Sequence, residues 1–402
     1  MTMSEKGIEA KMPSVMIDQA SPIDPIPLAI RNIESNDFRI YFYCPPTNVA
    51  SGGVSVIFRQ ARILKESGFN TSIIYEPRID NRASYVASQK ENKKVAIHEK
   101  FNTAWLGKEA EGTEVKAIGN GDIRFNDGTA INATQLAVKR EDFAVIPEGF
   151  SNVMEQFSGI HCKKIILAQS WYFILASLEI GQTWQQFGIK DVISVSQGIT
   201  EYIQAIMPGL NIKNVTQSID RQVFRKYAAT EKLPKIAFMP GRTQDAVIKT
   251  YSVIKTFRCF YPGAREIRFD ELNGLSKTEF AERLGTSALC LYTDEIAGFG
   301  TLPLEAMAVG TPVVGWTPPG GMEYVTADNG FWAPNGDVFA LARQLGNAVE
   351  KMLAGELDSP SIHEQHEKTL AKYAPDVEKR LLVSAVNEFK HERMIELRGF
   401  NK

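Results

Sequence analysis

The first clear pattern in the chain is Phe38–Pro45, "FRIYFYCP", whose aromatic and β-branched residues predict a buried strand. A loop, "PTNVASGGVS", leads into "VIFRQARILKESG". There Val56, Ile57, Ala61 and Leu64 recur at helical spacing, and Gly68 ends the helix. "FNTSIIYEP" predicts the next strand, so the chain opens as β-loop-α-β, the start of an open parallel sheet. From about 84 to 140 the pattern changes. "EVKAIGNGDIRFNDGTAINATQLAV" alternates and carries the turn signals Gly-Asn-Gly and Asn-Asp-Gly, which predict short antiparallel strands inserted into the first sheet or capping it. "DFAVIPEG" and "KKIILAQSW" resume the buried-strand pattern, and "IKDVISVSQGITEYIQAI" reads as strand then helix.

Near "NIKNVTQSIDRQVF" the alternation restarts. "KIAFMPGR" reads as strand and turn, "AVIKTYSVIKTFRCFYPG" as helix, "EIRFDEL" as strand, "SKTEFAERLGTS" as helix and "ALCLYTD" as strand. Strands alternating with helices on both sides of a restart imply an α/β protein of two doubly wound Rossmann-like domains facing a cleft. The expected divisions are an N-terminal arm or tail over 1–36 and a first domain over 37–217 with a small β insertion at about 84–140. A second domain over 218–372 and a charged C-terminal helix over 373–402 follow. The arm is polar and proline-bearing, a tail or a segment that packs on a partner.

Composition narrows the function classes. The 402 residues carry 45 basic and 47 acidic side chains, a net charge of −2 that gives no electrostatic footprint for nucleic acid. Cys44, Cys162, Cys259 and Cys290 form no CxxC pair, and the five histidines do not cluster with them. Four reduced thiols in a cytoplasmic protein and no zinc site are therefore expected. The N-terminus has no apolar core of signal-peptide length, and no run of about 18 apolar residues predicts a membrane-spanning helix. The basic cluster Gln89–Lys100 either touches an anionic membrane or is a solvated face.

The stretch "GFGTLPLEAMAVGTPVVG", Gly298–Gly315, bears the chemistry. It follows the carboxyl end of the strand Leu289–Tyr292, where open α/β sheets hold ligands. Gly298 and Gly300 let the backbone approach a ligand, Thr301 can cap the next helix, and Pro303 suits its first turn. The helix N-terminus offers free N–H groups and a partial positive charge, for which diphosphate is a natural ligand. Glu305, one turn in, can accept two vicinal hydroxyls, as on a ribose. The same residues also fit a tight loop-helix-strand unit with glycines for packing and a solvated Glu305. By the same carboxyl-end logic Glu148 points at the cleft, as a binding carboxylate or a loop carboxylate. Trp171, Tyr172 and Trp316 suit either sugar stacking or the core.

"GFGTLPLEAMAVGTPVV" resembles the donor-site signature of GT-B fold glycosyltransferases of the family 4 type, the glycosyl transferases group 1. "GGVSVIFRQARILKESGFNTSIIY", "VISVSQGITEYI", "SIDRQVF" and "FMPGR" are similar to other marks of that family, and the resemblance covers roughly 38–80 and 140–350. It implies that Gly241 and Arg242 meet the donor diphosphate, and that Gly52 and Gly53 approach it from the first domain. It implies that Gly298, Phe299, Gly300, Thr301 and Leu302 wrap sugar and diphosphate with main-chain N–H groups. Glu305 would clamp the ribose, and the nucleobase would lie near Asn273–Ser276, including Leu275.

Three departures stand out. The first glutamate of the family pair would fall at 297, which is Ala297, leaving Glu295 or Asp294 to bend in. The usual lysine position holds Val247, with Lys249 as a substitute from the next turn. Where the family often has a first-domain histidine, this chain has Gln169, Ser170 and Trp171; with Glu148, Gln169 and Trp171 become candidates for the acceptor side.

The resemblance implies transfer of a sugar from a nucleoside diphosphate sugar to a hydroxyl acceptor, a glycan, a lipid-linked sugar or another molecule, in glycan or glycoconjugate biosynthesis. It implies retention of configuration, no metal and no cofactor, with Arg242, Glu295 and Glu305 at the reacting centre. A C-terminal helix crossing back to the first domain would complete the fold. A cytoplasmic location, at the inner face of a membrane or not, and a homo-oligomer are compatible with it. The departures also support an alternative, a non-catalytic GT-B protein that binds nucleotide or glycan as a partner subunit.

Overall fold

The computed structural model describes residues 23–25, 30–32, 38–47, 51–76, 78–80, 101, 103–119, 121–124, 130–241, 243–357 and 360–399. Arg242 and the basic cluster over 89–100 lie outside the described residues.

Seven parallel strands build the first sheet: β1 (Ile40–Tyr43), β2 (Thr71–Tyr75), β3 (Glu114–Ala117), β4 (Phe143–Pro147), β5 (Lys163–Ala168), β6 (Asp191–Ser194) and β7 (Asn211–Asn214). Their spatial order is β7-β6-β5-β4-β1-β2-β3, so the winding direction reverses between β1 and β4. The inner strands are buried along their whole length because helices cover both faces, and their sequences are correspondingly apolar apart from Lys163 and Lys164 at the start of β5. Helix α1 (Gly52–Glu66) turns Val54, Ile57, Phe58, Ala61 and Leu64 into the core. It begins earlier than its apolar spacing predicts: Ser51 is the N-cap and accepts the Val54 N–H, so both glycines sit in its first turn.

The region expected as antiparallel insertion behaves differently. One pair, Gly121–Arg124 with Ala130–Ala133, is antiparallel. Glu114–Ala117 instead extends the main sheet in parallel beside β2, its outer residues exposed as an edge strand allows. Thr103–Ala110 is helical, and Leu136–Val138 pairs in parallel with Ile30–Asn32. From the arm, Ile23–Pro25 pairs with Arg78–Asp80 of the same chain.

The second sheet has five parallel strands: β8 (Leu233–Phe238), β9 (Arg268–Glu271), β10 (Ser287–Tyr292), β11 (Val313–Trp316) and β12 (Phe331–Ala333). Their order is β9-β8-β10-β11-β12, with the reversal between β8 and β10. After β8 comes α4 (Gln244–Phe260), after β9 α5 (Lys277–Gly285), and after β10 α6 (Thr301–Ala308), with α2 (Ser151–Ser158) and α3 (Gln197–Ile206) earlier in the first domain. Helices α7 (Val338–Leu353) and α8 (Pro360–Leu370) finish the second domain.

The last helix, α9 (Pro375–Gly399), returns to the first domain. Glu378 pairs with Arg59 of α1, Glu388 with Lys213 of β7, and Glu392 with Lys163 of β5. One apolar cluster runs from the first sheet through to Leu304, Ala306 and Met307 of α6, and a second fills the far side of the second domain. No helix among the described residues is long and apolar enough to cross a membrane, and no group of metal-binding side chains appears among them.

Candidate active site

The carboxyl ends of the two sheets face each other. The turn after β5 meets the loop after β10, where the Trp171 indole N–H donates to the Ala297 carbonyl at 3.2 Å. A Cβ at 298 would collide with the Gln169 carbonyl and come within 2.6 Å of the Ser170 Cα, so only glycine permits this approach. Further along, the Gln197 N–H at the start of α3 donates to Glu323 of the second domain.

The donor loop is fixed from behind. Phe299 is buried against Tyr324 and Tyr373, so only its main chain can serve a ligand. The Tyr324 hydroxyl donates to the carbonyls of Phe299 and Gly300. Gly300 has φ of 77°, the left-handed region, and is itself the N-cap of α6, the place expected for Thr301. A glycine carries no capping oxygen, and no side chain caps this helix. Its first-turn N–H groups and the positive end of its dipole are left for a ligand. Leu302 is buried beneath them.

Glu305 is half-buried and has no hydrogen-bond partner among the described residues. Burial pushes its carboxyl up to about 7; Lys277 and Arg59 oppose that shift and Glu109 reinforces it. These three are linked. Lys277 of α5 pairs with Glu109 at 3.0 Å, and Arg59 lies between Glu109 at 3.5 Å and Glu378 at 2.8 Å. Glu378 also accepts both the N–H and the hydroxyl of Ser218 in the interdomain link. Two cations thus stand near Glu305 where both domains, the link and the last helix meet. Nothing in the periodicity pointed to these residues; Arg59 and Glu378 read as ordinary charges on helices.

The other expected residues divide. Gly52 and Gly53 open α1, and a Cβ at 53 would lie 3.5 Å from the Gln169 Oε1, so the Gly-Gly turn and Gln169 are neighbours. Gly241 packs against Ala246 at the start of α4. Asn273 is exposed and Leu275 half-buried, just before Ser276, which caps α5 in a capping box with Glu279. Lys249 and Glu295 are brought to each other: the ammonium lies 2.7 Å from the Glu295 carboxylate and 3.0 Å from Asp245. Asn335 holds the Glu295 carbonyl. Trp316 is core, its indole N–H donating to the Asp337 carbonyl.

On the first-domain side Glu148 is buried after β4 and accepts the Ser170 N–H at 2.7 Å. Burial raises its carboxyl to about 7. Gln169 and Trp171 are half-buried; the Gln169 Oε1 is enclosed without a hydrogen-bond partner among the described residues.

Residues 270–366 match the family model described as "Glycosyl transferases group 1". A comparison with curated proteins finds no match. The fold is that of GT-B glycosyltransferases. The pneumococcal O-GlcNAc transferase GtfA, solved with UDP and GlcNAc, is 10% identical with a TM-score of 0.58, covering 90% of this chain and 100% of that one. Anabaena HepE, solved with UDP and glucose, is 12% identical with a TM-score of 0.58, covering 87% and 99%. A glycosyltransferase from Rickettsia africae ESF-5 is 11% identical with a TM-score of 0.53, covering 90% and 99%.

Proposed function

We propose that the protein is a glycosyltransferase that moves a sugar from a nucleoside diphosphate sugar to an acceptor hydroxyl. The observation that carries this reading is the unit Gly298–Glu305: a main-chain loop at the switch point of the second sheet, an uncapped helix N-terminus and, one turn in, a carboxyl without a hydrogen-bond partner among the described residues. The family match falls on this segment, and neighbours of the same fold are solved with UDP.

In the reaction the bond from the anomeric carbon to the diphosphate breaks and a bond to the acceptor oxygen forms. The acceptor proton leaves with the diphosphate or to solvent. Negative charge grows on the leaving diphosphate, and the α6 N-terminus is aimed to stabilise it without reorganisation. Arg242 is assigned to the same charge. Glu305 takes the ribose hydroxyls, which favours its ionised form. The meeting of the two sheets' carboxyl ends excludes water and limits hydrolysis. Retention of configuration, no resident metal and a role in glycan or glycoconjugate biosynthesis belong to this reading; a hydroxyl-bearing glycan, lipid-linked sugar or small molecule is the acceptor.

A second reading has its own support. Ala297 offers no carboxylate, and Glu295 is tied to Lys249 instead of turned to the loop. A GT-B protein that binds nucleotide without turnover would look the same. Calorimetric titration with UDP, GDP, ADP, dTDP and their sugars, then an assay for released nucleoside diphosphate, separates the two. Binding with release supports the transferase, binding without release with any acceptor supports the second reading, and no binding overturns both.

A further inference from the structure

One buried carboxyl at the first switch point has no part in the reading above. Glu148 is 4% exposed, so an acceptor does not reach it in this arrangement. Its partner is main chain, the Ser170 N–H at 2.7 Å. The backbone it holds, Gln169–Trp171, is the surface that the donor loop meets. Ser170 and the Gln169 carbonyl abut Gly298, and Trp171 donates to the Ala297 carbonyl. Gln169 also neighbours Gly53 in the first turn of α1. An enclosed carboxyl is costly unless its hydrogen bonds are made, so the turn and the carboxyl constrain each other.

We propose that Glu148 is a positioning residue of the donor site: its carboxyl fixes the Gln169–Trp171 turn in the shape that seals against Ala297 and Gly298. It acts through the turn and touches no substrate. The proposal rests on the assignment of Gly298–Glu305 to the donor.

Hydrogen–deuterium exchange on the full-length protein tests it. Glu148→Ala should speed exchange about tenfold in the segments 166–174 and 295–302 while leaving β1 and β2 at the wild-type rate, because only local opening is released. Glu148→Gln, which keeps a carbonyl acceptor at the same reach, should return both segments to within about twofold of wild type. Trp171→Phe should loosen 295–302 alone, since the turn stays while the indole N–H is lost.

Loosening of 166–174 with 295–302 unchanged in Glu148→Ala would overturn the proposal. So would loosening of the whole first sheet, which marks an ordinary core residue. If Glu148→Ala does not fold, the other two variants decide: unchanged exchange at 295–302 in Trp171→Phe overturns the linkage. Titration with UDP runs beside these measurements. An approximately fivefold loss of affinity in Glu148→Ala with recovery in Glu148→Gln supports the proposal. Absence of binding by the wild type to any of the four nucleoside diphosphates overturns the donor assignment, while the exchange data still decide whether Glu148 holds the loop.

Discussion

At the carboxyl ends of β4 and β5 the first domain places a buried carboxyl that holds its own backbone, an enclosed amide, and an indole that donates to the opposite loop. At the carboxyl end of β10 the second domain offers mainly main chain: two glycines, an uncapped helix end and one carboxyl without a hydrogen-bond partner among the described residues. Under the proposed function the second half receives the anion, and under the further proposal the first holds the second in place. Backbone sites of this kind are local in sequence. Side-chain sites are assembled from strands far apart, which is why one half can be read before folding and the other cannot.

The comparison can be broken most sharply at Gly298. Gly298→Val drives a branched side chain into the Gln169 carbonyl. It should lower stability by about 3 kcal/mol, the upper end for overpacking, read as a shift in the urea midpoint. A smaller shift would mean that the domains part easily.

The next effect is on pH. Glu148 and Glu305 both sit at about 7, with burial the main cause, against roughly 4.3 for an unfolded glutamate. A raised native value means the folded state holds the extra proton between those limits. The stability is thus fully present below about 4 and is lost as pH rises through 7. Between pH 5 and 8 the wild type should lose about 1–3 kcal/mol relative to Glu148→Gln, measured by urea unfolding at both values. Parallel curves would show that Glu148 does not titrate in this range.

Glu305→Ala should weaken the binding of UDP, or of whichever nucleoside diphosphate binds, by about 1–3 kcal/mol in a calorimetric titration. Equal affinity would remove Glu305 from the ribose. Because ribose hydroxyls favour the carboxylate, wild-type affinity should also rise from pH 6 to 8 relative to Glu305→Gln. Smallest is Lys249→Ala: its ion pair with Glu295 is partly exposed, so stability should change by under about 1 kcal/mol and nucleotide affinity by less than about twofold. A large loss of affinity would return Lys249 to the donor.

Most of the fold was legible because buried parallel strands write themselves as near-continuous apolar runs and their helices as 3.6-residue patterns. The Gly298–Glu305 unit was legible for the same local reason. The cap was not: threonine offers a capping oxygen, yet Gly300 takes that place, with a left-handed φ and with the Tyr292 and Tyr324 hydroxyls 2.7 and 3.0 Å from where a Cβ would lie. Glu114–Ala117 alternates like a hairpin strand, but an edge strand of a parallel sheet has the same one-sided burial. The Arg59–Glu109–Lys277–Glu378 network had no signature at all, since its members come from four separate segments. Lys249 and Glu295 each looked like a substitute for a missing group; only the structure shows that each is the other's partner.

The return of α9 to the first domain has a consequence for biosynthesis. Glu378, Glu388 and Glu392 complete charge pairs with Arg59, Lys213 and Lys163, so α1, β5 and β7 of the first domain wait for the last helix to be made. At roughly 5–20 residues per second, translation of the intervening domain takes on the order of ten seconds. During that time the nascent first domain carries an incompletely covered face and needs shielding, and a stop codon shortly before Pro375 would leave it in that state permanently.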